Sequence, residues 1–209
     1  TNGVVEKQPH LLLEPSATNN IIFSENFGVG SFSSNSISYT DNTTETLSPK
    51  GDNTADKFEV TASNADANRR FTQTTSIQSF TLSVYVKGNS GQKFQLFLAR
   101  DSYAEIKDIS VTLSGGWQRI ILSDTFSTTS TTLVIGYEFG HNSSDSVAGQ
   151  VYYLWGVQLE ATTYATSYIP TAGTIISRAS ETCNNSKPSV NSTEGVLYAE
   201  IAALADDNT

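Results

Sequence analysis

Cysteine, methionine, histidine and charged side chains are all scarce in this chain of 209 residues. It has one Cys, no Met, two His and 16% charged residues. With one cysteine no disulfide can form within the chain, so stability must come from burial of apolar side chains. Lys and Arg form no cluster and the formal net charge is −9. Because neutralising phosphates needs grouped cations, we expect no nucleic acid as a partner.

Long apolar runs are also missing. No stretch approaches the roughly 18 consecutive apolar residues that span a bilayer as a helix. The opening TNGVVEKQPH has no basic region followed by an apolar one. We therefore predict no signal peptide and no membrane insertion. The absence of an initiating methionine favours a piece of a longer polypeptide.

Aromatic residues and a period-two alternation are what the chain does have. Ten Phe, nine Tyr and two Trp can fill a core, and Ser, Thr and Asn dominate the polar positions. In Phe80–Lys87, Phe, Leu, Val and Val alternate with Thr, Ser, Tyr and Lys, which is typical of a half-buried strand. The sequence predicts an all-β, antiparallel two-sheet sandwich. Its other predicted strands are 20–23, 37–40, 56–61, 69–75, 93–100, 106–113 with a bulge near Asp108, 117–122, 132–139, 150–159 and 174–178.

Two tryptophans are assigned to this core. Trp117 follows Gly115-Gly116 at the start of a strand, where a large ring often fills the end of a sandwich. Trp155 shares an alternating face with Val151, Tyr153, Val157 and Leu159. We therefore predict core packing for both.

Catalytic motifs are absent. The chain has no G-x-S-x-G nucleophile motif and no phosphate-binding loop, and Cys183 is far in sequence from His10 and His141. A glycosidase needs two carboxylates across a cleft. No spacing singles out a pair among Asp101, Glu105, Asp108, Asp124, Glu138 and Asp145, so we predict that the chain is not an enzyme.

Two segments near opposite ends carry a family resemblance. LLLEPSATNNIIFSENF (11–27) and VYYLWGVQLEATTYATSYIPTAGTIISRA (151–179) bracket GDNTADKFEV (51–60), FTLSVYVKG (80–88) and GGWQRI (115–120), in that order. The ordered set resembles a jelly-roll, carbohydrate-binding-like module of tail fibre, head fibre and spike proteins in tailed bacteriophages. The resemblance covers roughly residues 11–180.

The resemblance divides the chain into four parts. Residues 1–10 are an entry segment, 11–180 the jelly-roll sandwich and 181–193 a linker. Residues 194–209 resemble the first strand of a laminin-G or concanavalin-like sandwich. With 16 residues present, we expect that strand to belong to an incomplete second sandwich or to be exchanged with a neighbour.

Surface aromatics with polar neighbours are the candidate glycan contacts, because sugars stack on rings and exchange hydrogen bonds. One predicted patch lies on two strands and a loop, and a second near the end of a strand. These ligand-binding candidates are Tyr85, Phe97, Arg100, Asp101 and Tyr103 in the first patch, and Tyr137 and His141 in the second.

Calcium is a further implication of the resemblance, because such modules often hold a structural ion between the first and last strands. Glu25 and Asn26 would supply one half of that site, and Gln158 and Glu160 the other. Sister modules usually have an aspartate pair where this chain has Trp155-Gly156. We therefore assign no metal and expect no cofactor.

The resemblance implies a non-enzymatic virion protein on the surface of a phage particle, presenting a glycan-binding or docking surface for host attachment. Its expected partners are other virion proteins, a host surface glycan and itself, as a homotrimer. A second hypothesis is a structural adaptor that anchors a distal appendage, favoured by edge strands at 11–13 and 196–204. A third is an accessory carbohydrate-binding module of a secreted polysaccharide hydrolase.

Overall fold

The computed structural model describes residues 13–29, 32–140 and 145–182. These residues form twelve β-strands and no helix. No helix long and apolar enough to cross a membrane is therefore found among them. The strands are β1 Ala17–Asn19, β2 Phe32–Asn35, β3 Ile37–Thr40, β4 Asp56–Val60, β5 Asn68–Thr74, β6 Ser79–Gly88, β7 Lys93–Arg100, β8 Glu105–Thr112, β9 Gln118–Thr125, β10 Thr132–Phe139, β11 Val151–Glu160 and β12 Ile176–Arg178.

Two five-stranded antiparallel sheets pack face to face. Sheet I has the order β2-β5-β10-β7-β8, and sheet II the order β3-β4-β11-β6-β9. A ribbon of β1 and β12 forms a third, two-stranded sheet. The chain crosses from sheet I to sheet II at Ser36, which has a φ of 53°. The prediction of an all-β, antiparallel two-sheet jelly-roll sandwich is confirmed.

The core lies between the two sheets and follows the alternation of the sequence. On β6, Phe80, Leu82, Val84 and Val86 are fully buried in it. Aromatic rings from both sheets meet at one end, where Phe139 of β10 lies 5.1 Å from Phe58 between ring centroids. Burying one such side chain stabilises the fold by about 1.5–3 kcal/mol.

A β-bulge divides β11. The register with β6 shifts between Trp155 and Gln158, and Gly156 adopts a φ of 63°. Val157 and Leu159 consequently lie in the core. Trp155 lies on the outer face of sheet II, buried beneath Tyr168 at 4.6 Å between ring centroids. Trp155 is thus buried as predicted, but it does not share a face with Val157 and Leu159, because strict alternation does not hold across the bulge.

Other sequence predictions also need correction. β8 pairs with β7 in one continuous register, so the bulge predicted near Asp108 is not present. Ile106 therefore lies on the solvent side of this strand, where half of its surface is exposed. Trp117 is half-buried and donates to the Leu47 carbonyl at 2.9 Å, rather than filling the end of the core. Strand β2 was not predicted at all, and the strand predicted at 20–23 is not present, because β1 ends just before it, at Asn19.

Two loops cover the outer face of sheet II. The β3–β4 loop accepts a hydrogen bond from Lys87 through Thr46 Oγ1, at 2.8 Å. The segment after β11 accepts bonds from Thr81 at the Thr162 carbonyl and from Arg119 at the Thr166 carbonyl, at 2.9 and 2.8 Å. Polar side chains on the outer face of β6 and β9 therefore hold the two loops against sheet II.

The beginning and end of the sandwich lie side by side. β1 pairs with β12, and the Glu181 N–H donates to the Glu14 carbonyl at 2.9 Å. Arg178 adds an ion pair with the Glu14 carboxylate at 2.5 Å. Strand 194–204, predicted at the far end of the chain, lies outside the described residues.

Candidate functional site

A groove of about 520 Å³ runs across the outer face of sheet I. It crosses the four neighbouring strands β5, β10, β7 and β8, and the β7–β8 turn forms one side. Tyr103 and Ile106 are its exposed apolar residues, with 42% and 50% of their surface accessible. The lining residues are Arg70, Gln95, Phe97, Tyr103, Ile106, Asp108 and Glu138.

The ring of Phe97 forms the floor of this sheet I groove. It lies over Gly136 of β10, where a Cβ atom would come within 1.9 Å of the ring. Only a glycine at position 136 leaves room for this ring. The Arg70 guanidinium covers Phe97 at 5.7 Å and Tyr103 at 5.8 Å from the ring centroids. Phe97 is therefore 4% exposed, and Tyr103 presents the accessible ring.

A strained turn holds Tyr103 in this position. Asp101, Ser102 and Tyr103 are three consecutive residues in the left-handed region, with φ of 47°, 59° and 68°. Each such residue costs about 1–2 kcal/mol, and runs of them are uncommon. Strain of this kind persists only where the surroundings hold it, and it clusters at functional sites.

Two carboxylates fix the turn. Asp101 Oδ1 accepts bonds from the Thr131 N–H and hydroxyl, both at 2.9 Å, and from the Thr132 N–H at 3.2 Å. Glu105 Oε2 accepts from the Ser127 N–H and hydroxyl at 2.9 and 2.7 Å. These bonds, chiefly those of the backbone N–H groups, lower the pKa of each carboxyl to about 2.

Arg100 links the two carboxylates. It pairs with Asp101 at 3.0 Å and with Glu105 at 3.1 Å. It also donates to the Ser127 hydroxyl at 3.1 Å. Arg100 and Asp101 therefore support the turn that carries Tyr103, and neither lines the groove.

The polar lining of the groove is internally connected. Arg70 lies 3.2 Å from Asp66 and 3.5 Å from Glu138, and Gln95 donates to Asp108 at 2.8 Å. Arg70 Nε is buried and has no hydrogen-bond partner in the described part of the chain. These carboxylate, amide and guanidinium groups offer both acceptors and donors around an apolar floor.

The predicted site residues are only partly brought together. Phe97 and Tyr103 line the same groove. Tyr85 lies on sheet II, half-buried, with its ring 5.4 Å from Trp155 and under the Arg119 guanidinium at 5.6 Å. Tyr137 is 1% exposed and points into the core against Phe27, so it does not form a surface patch with Glu138. His141 lies outside the described residues.

Three lining residues, Arg70, Ile106 and Asp108, were not predicted as ligand contacts from the sequence. Alternation along β5 puts Arg70 and Thr72 on the same, outward face, so the orientation of Arg70 could be predicted from the sequence. Which strands β5 neighbours in the sheet is not visible in local periodicity. Ile106 was assigned inward because a bulge was expected in its strand.

One of the two halves considered for a calcium site, Gln158 and Glu160, is engaged in hydrogen bonds within the protein. Glu160 accepts from the Thr166 N–H and hydroxyl at 3.1 and 2.6 Å. Gln158 accepts from the Ile169 N–H at 2.7 Å. Within residues 13–29, 32–140 and 145–182, no group of three or more His, Cys, Asp or Glu side chains is arranged to hold a metal ion.

Comparison with known proteins gives matches in structure alone. No protein-family model matches the chain, and no curated protein matches it. A carbohydrate-binding module of family 29 superposes with a TM-score of 0.50 at 10% identity, covering 71% of this chain and 90% of that one. An arabinose-bound GH51 α-L-arabinofuranosidase superposes with the same TM-score of 0.50 at 13% identity, covering 69% of this chain and 26% of that enzyme. At these identities the likeness shows the fold, which is that of jelly-roll carbohydrate-binding modules.

Proposed function

We propose that this protein binds glycans without modifying them, and that the sheet I groove is its binding site. The observation that carries the proposal is the placement of Tyr103 over the groove by three consecutive left-handed residues. A fold gains nothing from such strain, whereas a ligand gains a rigid aromatic surface. The fold of carbohydrate-binding modules supports the same conclusion.

The chemistry of the groove matches a sugar chain. Tyr103 and Ile106 offer an apolar surface for the C–H groups of a sugar ring. Gln95, Asp108 and Glu138 offer hydrogen bonds to hydroxyls at the edge of that surface. The two carboxylates and Arg70 leave the groove without excess positive charge, so a neutral glycan is favoured over an acidic one.

The finer part of the proposal is the setting. We place the module in a tail fibre, head fibre or other surface appendage of a tailed-phage virion, where it serves host attachment. The ordered sequence segments of residues 11–179 support this setting. Weak binding at one groove is raised by multivalency when several copies act together. A homotrimer bound to other virion proteins provides those copies.

Removing the aromatic surface tests the groove. We expect Tyr103→Ala to weaken binding of a glycan selected on an array by about tenfold, or about 1.4 kcal/mol. Isothermal titration calorimetry measures the affinity. Ile121→Ala is the matched control, because Ile121 is a large apolar residue exposed to the same degree as Tyr103 but lies on β9 of sheet II.

A second variant tests the floor. Gly136→Ala puts a methyl group where the Phe97 ring lies, so the ring must move and the groove must change shape. We expect weaker binding with the sandwich still folded, which circular dichroism checks. Full affinity in both Tyr103→Ala and Gly136→Ala would exclude the groove as the site.

A structural adaptor remains a second candidate, because exposed apolar residues lie on and beside the β1–β12 ribbon. Ile175 and Ile176 have 48% and 41% of their surface accessible, and Leu13 has 44%. Such a ribbon suits contact with another protein. Tight assembly with virion proteins, together with no array signal at millimolar sugar, would favour the adaptor over glycan binding.

An accessory module of a polysaccharide hydrolase is the third candidate. The arabinofuranosidase similar in structure has this fold over 26% of its length. The gene neighbourhood distinguishes the two settings. Capsid and tail genes beside this gene would exclude the hydrolase setting, and a polysaccharide-utilisation cluster would support it.

A further inference from the structure

A second cavity, of about 420 Å³, lies where the two end segments of the sandwich meet the β3–β4 loop. It shares no lining residue with the sheet I groove. We propose that this terminal cavity binds one neutral sugar unit, as a site separate from the groove. The lining residues are Phe23, Glu25, Asn26, Asn42, Lys50, Thr54, Pro170, Thr171 and Ala172.

The first wall is built from both end segments. Phe23 forms a β-bridge with Ala172, and its ring lies against Gly173. Ser24 and Thr171 are joined by three bonds. The Ser24 N–H and hydroxyl donate to the Thr171 carbonyl at 3.2 and 3.3 Å, and the Thr171 N–H donates to the Ser24 hydroxyl at 2.8 Å. This wall is therefore preformed, so a ligand would not have to order it.

The second wall comes from the β3–β4 loop. Asn42 has a φ of 49°, and its N–H donates to the buried Asp56 carboxylate at 2.9 Å. Thr54 accepts from the indole N–H of Trp155 at 2.9 Å and donates to Asp52 at 2.5 Å. Both positions are thereby anchored to sheet II.

The charges of the lining balance. Lys50 pairs with Asp52 at 3.1 Å, and the carboxylate of Glu25 also helps to raise the pKa of Lys50. An anionic ligand would face Glu25, and a cation would face Lys50. The lining therefore favours a ligand without net charge.

The remaining groups match a sugar. Phe23, Pro170 and Ala172 provide an apolar surface for sugar C–H groups. Thr171 is 6% exposed, and its hydroxyl has no hydrogen-bond partner among the described residues. Asn26 uses Oδ1 to accept from the Gly28 N–H at 2.8 Å, which leaves its Nδ2 to donate to a ligand. Sugar hydroxyls can satisfy both kinds of group, because each donates and accepts.

Residue-resolved NMR titration of the full chain tests the proposal. The probes are glucose, galactose, rhamnose and N-acetylglucosamine, with calcium chloride and glycine as charged and zwitterionic controls. We expect at least one sugar, and neither control, to shift the amides of Asn26, Thr54 and Ala172. Phe23→Ala should weaken that response about tenfold, whereas Tyr103→Ala should leave it unchanged.

Thr171→Val guards against loss of fold, because it removes the hydroxyl, keeps the shape and leaves all three bonds to Ser24. We expect a folded variant whose sugar affinity at the cavity is reduced severalfold, and unchanged affinity would count against the proposal. A response to calcium or glycine in place of sugar would overturn the ligand class.

The choice of a sugar as ligand rests on the proposed function, but the experiment can contradict the proposal for each site separately. Shifts at Tyr103 and Ile106 without shifts at Thr54 and Ala172 would overturn the terminal cavity alone. The reverse pattern would support the cavity and overturn the groove. The absence of chemical-shift changes at both sites for every sugar in the panel would overturn both proposals.

Discussion

Asp101 and Glu105 each concentrate three hydrogen bonds on one oxygen at the β7–β8 turn. Asp101 Oδ1 accepts from two backbone N–H groups and one hydroxyl, and Glu105 Oε2 accepts from one N–H, one hydroxyl and Arg100. Bonds of this kind favour the ionised carboxylate. The orientation of Tyr103 thus depends on the charge state of two residues that do not touch the groove.

The turn should accordingly lose its order in acid. The folded-state pKa of both carboxyls is lowered to about 2, so their stabilisation is complete above the ordinary carboxyl pKa of about 4 and is lost as the pH falls toward about 2. NMR signals of the Tyr103 ring should broaden or shift over this range. Asp101→Asn should disturb the ring near neutral pH and reduce its response to acid. A Tyr103 ring unaffected down to pH about 2 would contradict the role of these carboxylates.

At the scale of single residues, the sequence predicted the two rings of the groove but not their companions. Alternation in β7 placed Phe97 outward with Gln95, and the loop composition made Tyr103 a candidate. The packing of Phe97 over Gly136 depends on a residue 39 positions further along the chain. Local patterns do not reveal which glycine lies beneath which ring.

Among the strands, β11 departs most from a regular pattern. Its bulge puts Trp155 on one side of sheet II and Val157 on the other, so both large residues are buried in different environments. Gly156 allows this because it adopts a φ of 63°. Sequence alternation predicted the strand and placed Val157 and Leu159 correctly in the core. It put Val151 and Tyr153 on that same face, whereas Tyr152 and Leu154 are the core residues before the bulge.

Replacing the bulge glycine tests its contribution. Gly156→Ala puts a Cβ in the left-handed region, 3.3 Å from the Tyr168 ring, and should lower the free energy of unfolding by about 1–2 kcal/mol. Chemical denaturation measures the change, and Trp155 fluorescence reports on the local packing. Gly116→Ala is the control, because Gly116 is in open space with no left-handed φ, and it should change stability little.

The order of strands explains which parts of the groove were predictable. Ten of the twelve strands, β3 to β12, follow sequence segments that alternate or carry β-branched residues, and their bounds were predicted within a few residues. The groove, however, is formed by β5, β10, β7 and β8 side by side, which is a property of long-range pairing. The shape of the site therefore required the structure, although all four of its strands were predicted from their sequence pattern.

At the scale of the whole molecule, contacts between the first and last residues of the sandwich hold its two ends together. Glu14 is buried, accepts from the Ser167 N–H at 2.7 Å and pairs with Arg178 at 2.5 Å. The β1–β12 ribbon lies directly beside this pair. Loss of the pair would leave a buried carboxylate without its cation, which is destabilising.

Arg178→Ala should therefore loosen the contacts between the two ends of the sandwich without unfolding the two large sheets. We expect faster hydrogen–deuterium exchange at amides of β1, β12 and Glu181, with protection in β6 and β10 preserved. Lys93→Ala is the control, since Lys93 is an exposed cation that binds only the Thr112 hydroxyl, at 2.8 Å, in the described part of the chain. Uniform loss of protection would mean that the ribbon and the sandwich unfold together.

Because Glu14 and Glu181 are neighbours, the polypeptide enters and leaves the sandwich at one point. In a longer chain, the segments before and after the sandwich would both start at this point. The sandwich would then project to one side of them. Duplicating or deleting the sandwich domain would leave the distance between the flanking segments almost unchanged. A scaffold of fixed length can thus gain, lose or exchange this domain without any redesign of its own geometry.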